Sequence, residues 1–167
     1  MTTSVLKVNP KLDLVLERDI DVPVEKAWMA WTTPEHLKPW FSPKPWVITH
    51  CEMDLRPGGA FKFDMQGPEG DKQWFTACYL EIVPQRRLVW TLALEPGFRP
   101  SAKETLPGVK SFTAVIEFEA KGKATLYRAT ALHPDEASAK THDDMGFTEG
   151  WGTALTQMVE YLKSGAI

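Results

Sequence analysis

The side chains able to do chemistry are few and scattered. His50, Glu52 and Asp54 alternate along one strand-like run, which sets all three on one face at a spacing that suits metal ligands. No second His or Cys stands at a partner spacing, and Cys51 falls on the other face, so the three read as surface decoration and no metal is assigned. His133 ends a strand-like run just before Pro134, and His142 with Asp143 and Asp144 reads as the start of the last helix, where acids complement the helix dipole. A His–carboxylate pair would suit general acid–base work, but nothing in the sequence makes the two converge. Tyr79, Tyr127 and Arg128 are candidates for the polar end of an apolar cavity, although alternation sends Tyr127 and Arg128 to opposite faces. Arg56, ahead of Pro57-Gly58-Gly59, is expected to hold its own turn or pair with a strand acid. There is no nucleophile elbow, phosphate-binding glycine loop or metalloprotease helix, so no catalytic residue and no cofactor is assigned.

Aromatic side chains carry the stronger signal. Seven Trp and eight Phe stand in a chain of 167 residues, enough large rings to wall a ligand site as well as fill a core. Trp31, Trp40, Phe41, Trp46, Phe61, Phe63, Trp74, Tyr79, Trp90, Phe112, Tyr127, Phe147 and Trp151, with Leu155 and Met158, are the expected cavity residues.

Positioning them requires a sheet and one long helix. From Met145 to Leu162 the residues Phe147, Trp151, Ala154, Leu155, Met158 and Leu162 recur at three- and four-residue steps and line one helix face. Gly146, Gly150 and Gly152 each weaken that helix by roughly 1 kcal/mol relative to Ala, so close approach of a sheet or a ligand is expected there. Residues 12–20 alternate as a strand. Pro23 and Glu25 then open a helix with Val24, Ala27, Trp28 and Trp31 as its stripe, and Thr33-Pro34-Glu35 opens a second short one. Strand-like runs follow at about 46–55, 59–66, 73–83, 87–94, 110–119 and 124–132, separated by short turns, which implies an antiparallel meander. Residues 95–109, rich in Pro and Gly, form the one long loop, expected as a flap or rim. Phe61, Phe63 and Met65 point opposite to Lys62 and Asp64, so the sheet has one apolar face, curled over the helix. The fold class is α+β, in a single domain over 1–167.

Composition bounds the partners. Hydrophobic residues at 43% and charged ones at 25% are ordinary for a globular protein, and a net charge of −3 without a basic run argues against nucleic acid. No apolar run is long enough to span a membrane, and the N-terminus lacks the core of a signal peptide, so a cytoplasmic location with reduced Cys51 and Cys78 is expected. A disulfide between neighbouring strands is the alternative for those two thiols.

Several segments resemble the helix-grip domains of the START-like superfamily. Glu17-Arg-Asp-Ile-Asp-Val-Pro-Val-Glu-Lys-Ala-Trp28 is similar to that family's opening strand and first helix, and Thr33-Pro-Glu-His-Leu-Lys-Pro-Trp-Phe41 to its second. Asp54-Leu-Arg-Pro-Gly-Gly-Ala-Phe-Lys-Phe63 resembles its glycine hairpin, and Tyr79-Leu-Glu-Ile-Val-Pro-Gln-Arg-Arg-Leu-Val-Trp90 its next strand turn. Together they resemble the branch named after the activator of the heat-shock-protein-90 ATPase, in its stand-alone bacterial, polyketide-cyclase-like form. His133, followed by His142-Asp-Asp-Met-Gly-Phe-Thr-Glu-Gly-Trp151, resembles one subgroup of that branch. The resemblance implies a curved sheet of about seven strands around the C-terminal helix. It also implies binding of a hydrophobic or aromatic small molecule, with a cyclase- or hydrolase-like reaction as the alternative and a co-chaperone role last. A homodimer is left open, to be decided by whether an apolar patch is exposed.

Overall fold

In the computed structural model, which describes residues 6–104 and 106–167, nine strands and four helices are assigned among the described residues. Strand β1 (Asp13–Ile20) leads into α1 (Val24–Thr32) and α2 (Pro34–Leu37). Pro23 sits immediately before α1, where its fixed φ suits a helix start and its missing N–H costs nothing. Then come β2 (Cys51–Met53), β3 (Ala60–Gln66), β4 (Lys72–Val83) and β5 (Arg87–Thr91), a two-residue pair β6 (Leu94–Glu95) and β7 (Arg99–Pro100), and β8 (Thr113–Lys121) and β9 (Ala124–Leu132). Two helices close the chain, α3 (Glu136–Asp144) and α4 (Phe147–Lys163).

Seven strands form one antiparallel sheet in the order β1-β9-β8-β5-β4-β3-β2. The pleat sorts the side chains. Phe61, Phe63, Phe75, Ala77, Tyr79, Leu88, Trp90, Ala114, Ile116, Phe118, Tyr127, Ala129 and Ala131 are buried on the helix side. Trp28 and Trp31 of α1 pack on that face at the β8–β9 end, with Trp28 edge-on to Phe118 at 5.6 Å. The expected α+β helix-grip architecture is therefore present.

Three expectations on the elements are corrected. The run 46–55 is a strand only at Cys51–Met53, with a lone bridge between Val47 and Gln66; Pro43 and Pro45 leave the preceding residues without ladder geometry. The loop after residue 94 contains the β6–β7 pair. Most consequential for the site, His142, Asp143 and Asp144 do not start the last helix but end a separate one, α3. Asp135 caps α3 by accepting from the Ser138 N–H at 2.8 Å, and Gly146, at φ 94°, turns the chain between α3 and α4. Asp143 and Asp144 thus lie at a helix C-terminus, where the dipole does not favour them, and Asp144 is instead paired with Lys140 at 3.0 Å.

Both cysteines are buried free thiols, held apart by the intervening strand β3. Burial pushes the Cys51 thiol up to about 12, which leaves it unreactive. No helix among the described residues is long and apolar enough to cross a membrane.

Candidate functional site

The site is the space between α4 and the middle of the sheet. Two side chains fix the helix over it. Arg18 of β1 donates to the Gly152 carbonyl at 3.2 Å and to the Thr156 hydroxyl at 3.3 Å, and a Cβ on residue 152 would come within 2.6 Å of its guanidinium. Gln157 donates to the carbonyls of Trp40 (3.0 Å) and Ser42 (2.9 Å) and accepts from the Lys44 N–H (3.0 Å). Gly152 therefore serves approach by the sheet. Gly150 differs: a Cβ there would meet nothing within 4 Å, because the residue borders open cavity.

The cavity has a volume of about 270 Å³. Of the sequence-predicted residues, the structure brings Trp31, Trp40, Phe41, Phe63, Trp90, Phe112, Tyr127, Phe147, Trp151 and Leu155 to its wall. Some of the rings meet edge to face, as Trp31 does with Trp40 and with Phe41 at 5.2 Å, and others are tilted, as Phe147 is to Trp151 at 4.7 Å.

Five predicted residues do not reach the wall. Trp74 is 60% exposed on the outer face: it pairs with Asp64 across β3–β4, and the alternation that sends Asp64 outward takes Trp74 with it. Trp46 is half-buried, its ring turned toward Gly67, because its segment is not a strand and does not follow the pleat. Phe61 and Tyr79 point inward but stack on one another at 5.4 Å beneath Trp90 and Phe41, so they are core rather than wall. Met158 is fully buried in the same core, one turn beyond Ala154. Burial raises the Tyr79 pKa well above that of a free phenol, and its hydroxyl has no protein partner.

Sequence reasoning missed other wall residues. Met65 and Phe75 continue the inward alternation, Leu106 comes from the loop expected as a rim, and exposed Gln73 and Met145 stand where the cavity meets the surface. The consequential omission is His142. It lines the cavity, and its Nδ1 lies 2.8 Å from Nε2 of His133. The partner foreseen for either histidine was a carboxylate; the structure supplies the other histidine. The available signal was Pro134-Asp135-Glu136, a helix start that places His142 two turns further on.

Polar groups are otherwise sparse on the wall. Tyr127 accepts from the Trp31 indole N–H at 3.1 Å, and burial keeps its phenol protonated by raising its pKa. Arg128, on the opposite face, pairs with Glu17 at 2.9 Å. The remaining candidates lie outside the cavity. His50 pairs with Glu52 at 3.0 Å and Arg56 with Asp54 at 2.8 Å, and among the described residues no three His, Cys, Asp or Glu cluster as a metal site.

A seven-stranded antiparallel sheet holding a long C-terminal helix over a ring-lined cavity defines a helix-grip domain. Residues 21–163 match the family described as activator of Hsp90 ATPase homolog 1-like protein, and the chain belongs to that family. A crystal structure of a Nitrosomonas europaea protein is 46% identical, with a TM-score of 0.88 over 95% of this chain and 98% of that one. A Chromobacterium violaceum protein is 25% identical, with a TM-score of 0.67 over 90% and 96%. An Arthrobacter aurescens protein, 22% identical with a TM-score of 0.79 over 99% and 94%, shares the fold. No curated protein matches the chain. Family membership supports a ligand-binding helix-grip domain in general terms.

Proposed function

We propose that the protein binds a hydrophobic or aromatic small molecule in the cavity between the sheet and α4. The observation that carries this reading is a space of about 270 Å³ walled by Trp31, Trp40, Phe63, Trp90, Phe112, Phe147 and Trp151, within which hydrogen-bonding groups are few. An apolar cavity of about 150 Å³ already accepts a benzene ring, so this one suits a fused bicyclic aromatic or a short branched hydrocarbon body. Burying roughly 200 Å² of apolar ligand surface would contribute about 5 kcal/mol before the cost of association.

Native mass spectrometry of the purified protein, with organic extraction of whatever co-purifies, tests the reading beside a fluorescence titration with an apolar dye. Saturable dye uptake that quenches Trp emission is expected, since most of the indoles border or underlie the cavity. A protein that carries no small molecule and takes up no dye would refute it.

A further inference from the structure

The two histidines fix the polarity of the cavity. The Leu12 carbonyl can only accept, so its 2.7 Å contact with Nδ1 of His133 places a proton on that nitrogen. With one ring proton on His133, the one held at Nδ1, its Nε2 is a bare lone pair. The nitrogen facing it at 2.8 Å is Nδ1 of His142, which must therefore carry the proton and donate. That leaves Nε2 of His142 as an acceptor on the ring that lines the cavity, and no protein donor reaches it among the described residues.

The surroundings of His142 disfavour charge on its ring. Phe112 (4.8 Å), Phe147 (5.3 Å) and Trp151 (6.4 Å) pack around the His142 ring. Of the nearby acids, Asp135 is taken by Lys110 and the Ser138 N–H, and Asp144 by Lys140; none hydrogen-bonds to either imidazole. Burial above all, and the repulsion that two protons' worth of charge on the His133–His142 pair would meet, hold His142 down at about 4, so it is uncharged at neutral pH and too weak a base to abstract a proton readily.

We propose that the ligand of this cavity is a hydroxylated aromatic molecule whose phenolic O–H donates to Nε2 of His142, a specificity that rests on the binding function proposed above. An apolar aromatic leaves the acceptor unpaired, which costs free energy in a dry site. A carboxylate brings no proton to donate and meets no cation on the wall. The aromatic lining selects the ring, and the histidine relay, anchored at the Leu12 carbonyl, selects the hydroxyl.

The test compares 1-naphthol with 1-methoxynaphthalene and naphthalene, titrated by quenching of Trp fluorescence at pH 7.5. In the wild type, 1-naphthol should bind about tenfold more tightly than its methyl ether, as expected for one buried hydrogen bond. In His142→Phe the ratio of naphthol to ether affinity should fall to about one, whatever the change in the affinity for naphthalene itself. A second readout needs no variant: nitrogen-15 NMR of the histidines should find His142 protonated at Nδ1, with its Nε2 resonance moving on addition of 1-naphthol and not of the ether. Equal affinities for naphthol and ether, or a His142 protonated at Nε2, would overturn the hydroxyl assignment and leave the cavity standing. Failure of all three compounds to bind would overturn the cavity reading and this one with it.

Discussion

Stability should fall as pH drops from 7 to 4, and His142 should account for a defined share of the loss. An unfolded imidazole takes up its proton near pH 6.5, whereas the folded His142 does so only near pH 4. Between the two values the unfolded state binds the extra proton. The contribution is therefore whole above pH 6.5, falls by about 1.4 kcal/mol per pH unit below it, and levels off below pH 4. Over the whole window that amounts to at most about 3 kcal/mol. Urea denaturation of the wild type and His142→Phe at pH 7.5 and 4.5 compares the His133–His142 pair with His133 alone, because groups remote from the pair affect both proteins alike. The variant should be weaker at pH 7.5 by about 1–3 kcal/mol, having left Nε2 of His133 without its donor. It should then lose about 2 kcal/mol less than the wild type on acidification. Parallel losses in the two proteins would mean that His142 titrates normally, and the neutral histidine relay would be wrong.

Gly150→Ala should raise stability by about 0.5–1 kcal/mol from helix propensity alone, since the new methyl meets nothing, yet weaken dye binding by occupying the cavity; thermal melts and a titration read both. Trp151→Ala should cost about 1–3 kcal/mol, less than the 3–5 typical of a core Trp, because the ring is only half-buried, and dye affinity should drop with it. A full core penalty with unchanged binding would deny Trp151 a place on the wall. Asp64→Asn should cost about 2–3 kcal/mol in urea, as the buried carboxylate accepts from the backbone N–H groups of Thr49 (2.7 Å) and His50 (2.9 Å), from the Thr49 hydroxyl and from Lys72 (3.3 Å). Burial opposes ionisation there, but these donors outweigh it and hold the carboxyl down at about 2. Its stabilisation should thus be intact above pH 3.8 and fade toward pH 2, directly below the window of His142, so the loss from Asp64 should persist in His142→Phe.

The elements most legible in the sequence were those with a single period. The β3 run, with Phe61 and Phe63 inward and Lys62 and Asp64 outward, and the α4 stripe from Phe147 to Leu162 each state their buried face without reference to the rest of the chain. What could not be read was depth. Phe61 and Phe63 alternate identically, yet Phe61 lies beneath Trp90 and Phe41, stacked on Tyr79, while Phe63 meets the cavity, a distinction set by which rings lie above them. Trp74 was legible in principle, since the β3–β4 register pairs it with outward Asp64, but composition alone drew it inward. The His133–His142 contact depends on α3 folding back against the end of β9, and a nine-residue helix of low apolar content left only its capping residues as a trace.

The cavity follows from where α4 is tied down. The helix packs most closely against β1, α1 and α3, all on one side of the sheet face, where Ala114, Ala129 and Ala131 leave room for it to settle. There Gly152 gives up its side chain to the Arg18 guanidinium, and the approach is tight. On the other side, β3, β4 and β5 present Phe63, Phe75 and Trp90, too bulky for the helix to lie as close. Tied down on one side and propped by these rings on the other, the helix leaves a gap between them. Helix α4 then places Gly150 at that gap and adds no side chain to fill it, at a cost in helix stability that packing does not explain. Two glycines two residues apart on one helix thus serve different ends: Gly152 admits the Arg18 side chain of the sheet, whereas Gly150 leaves unfilled the gap that the facing rings hold open, and a site that only filled space would call for the first alone.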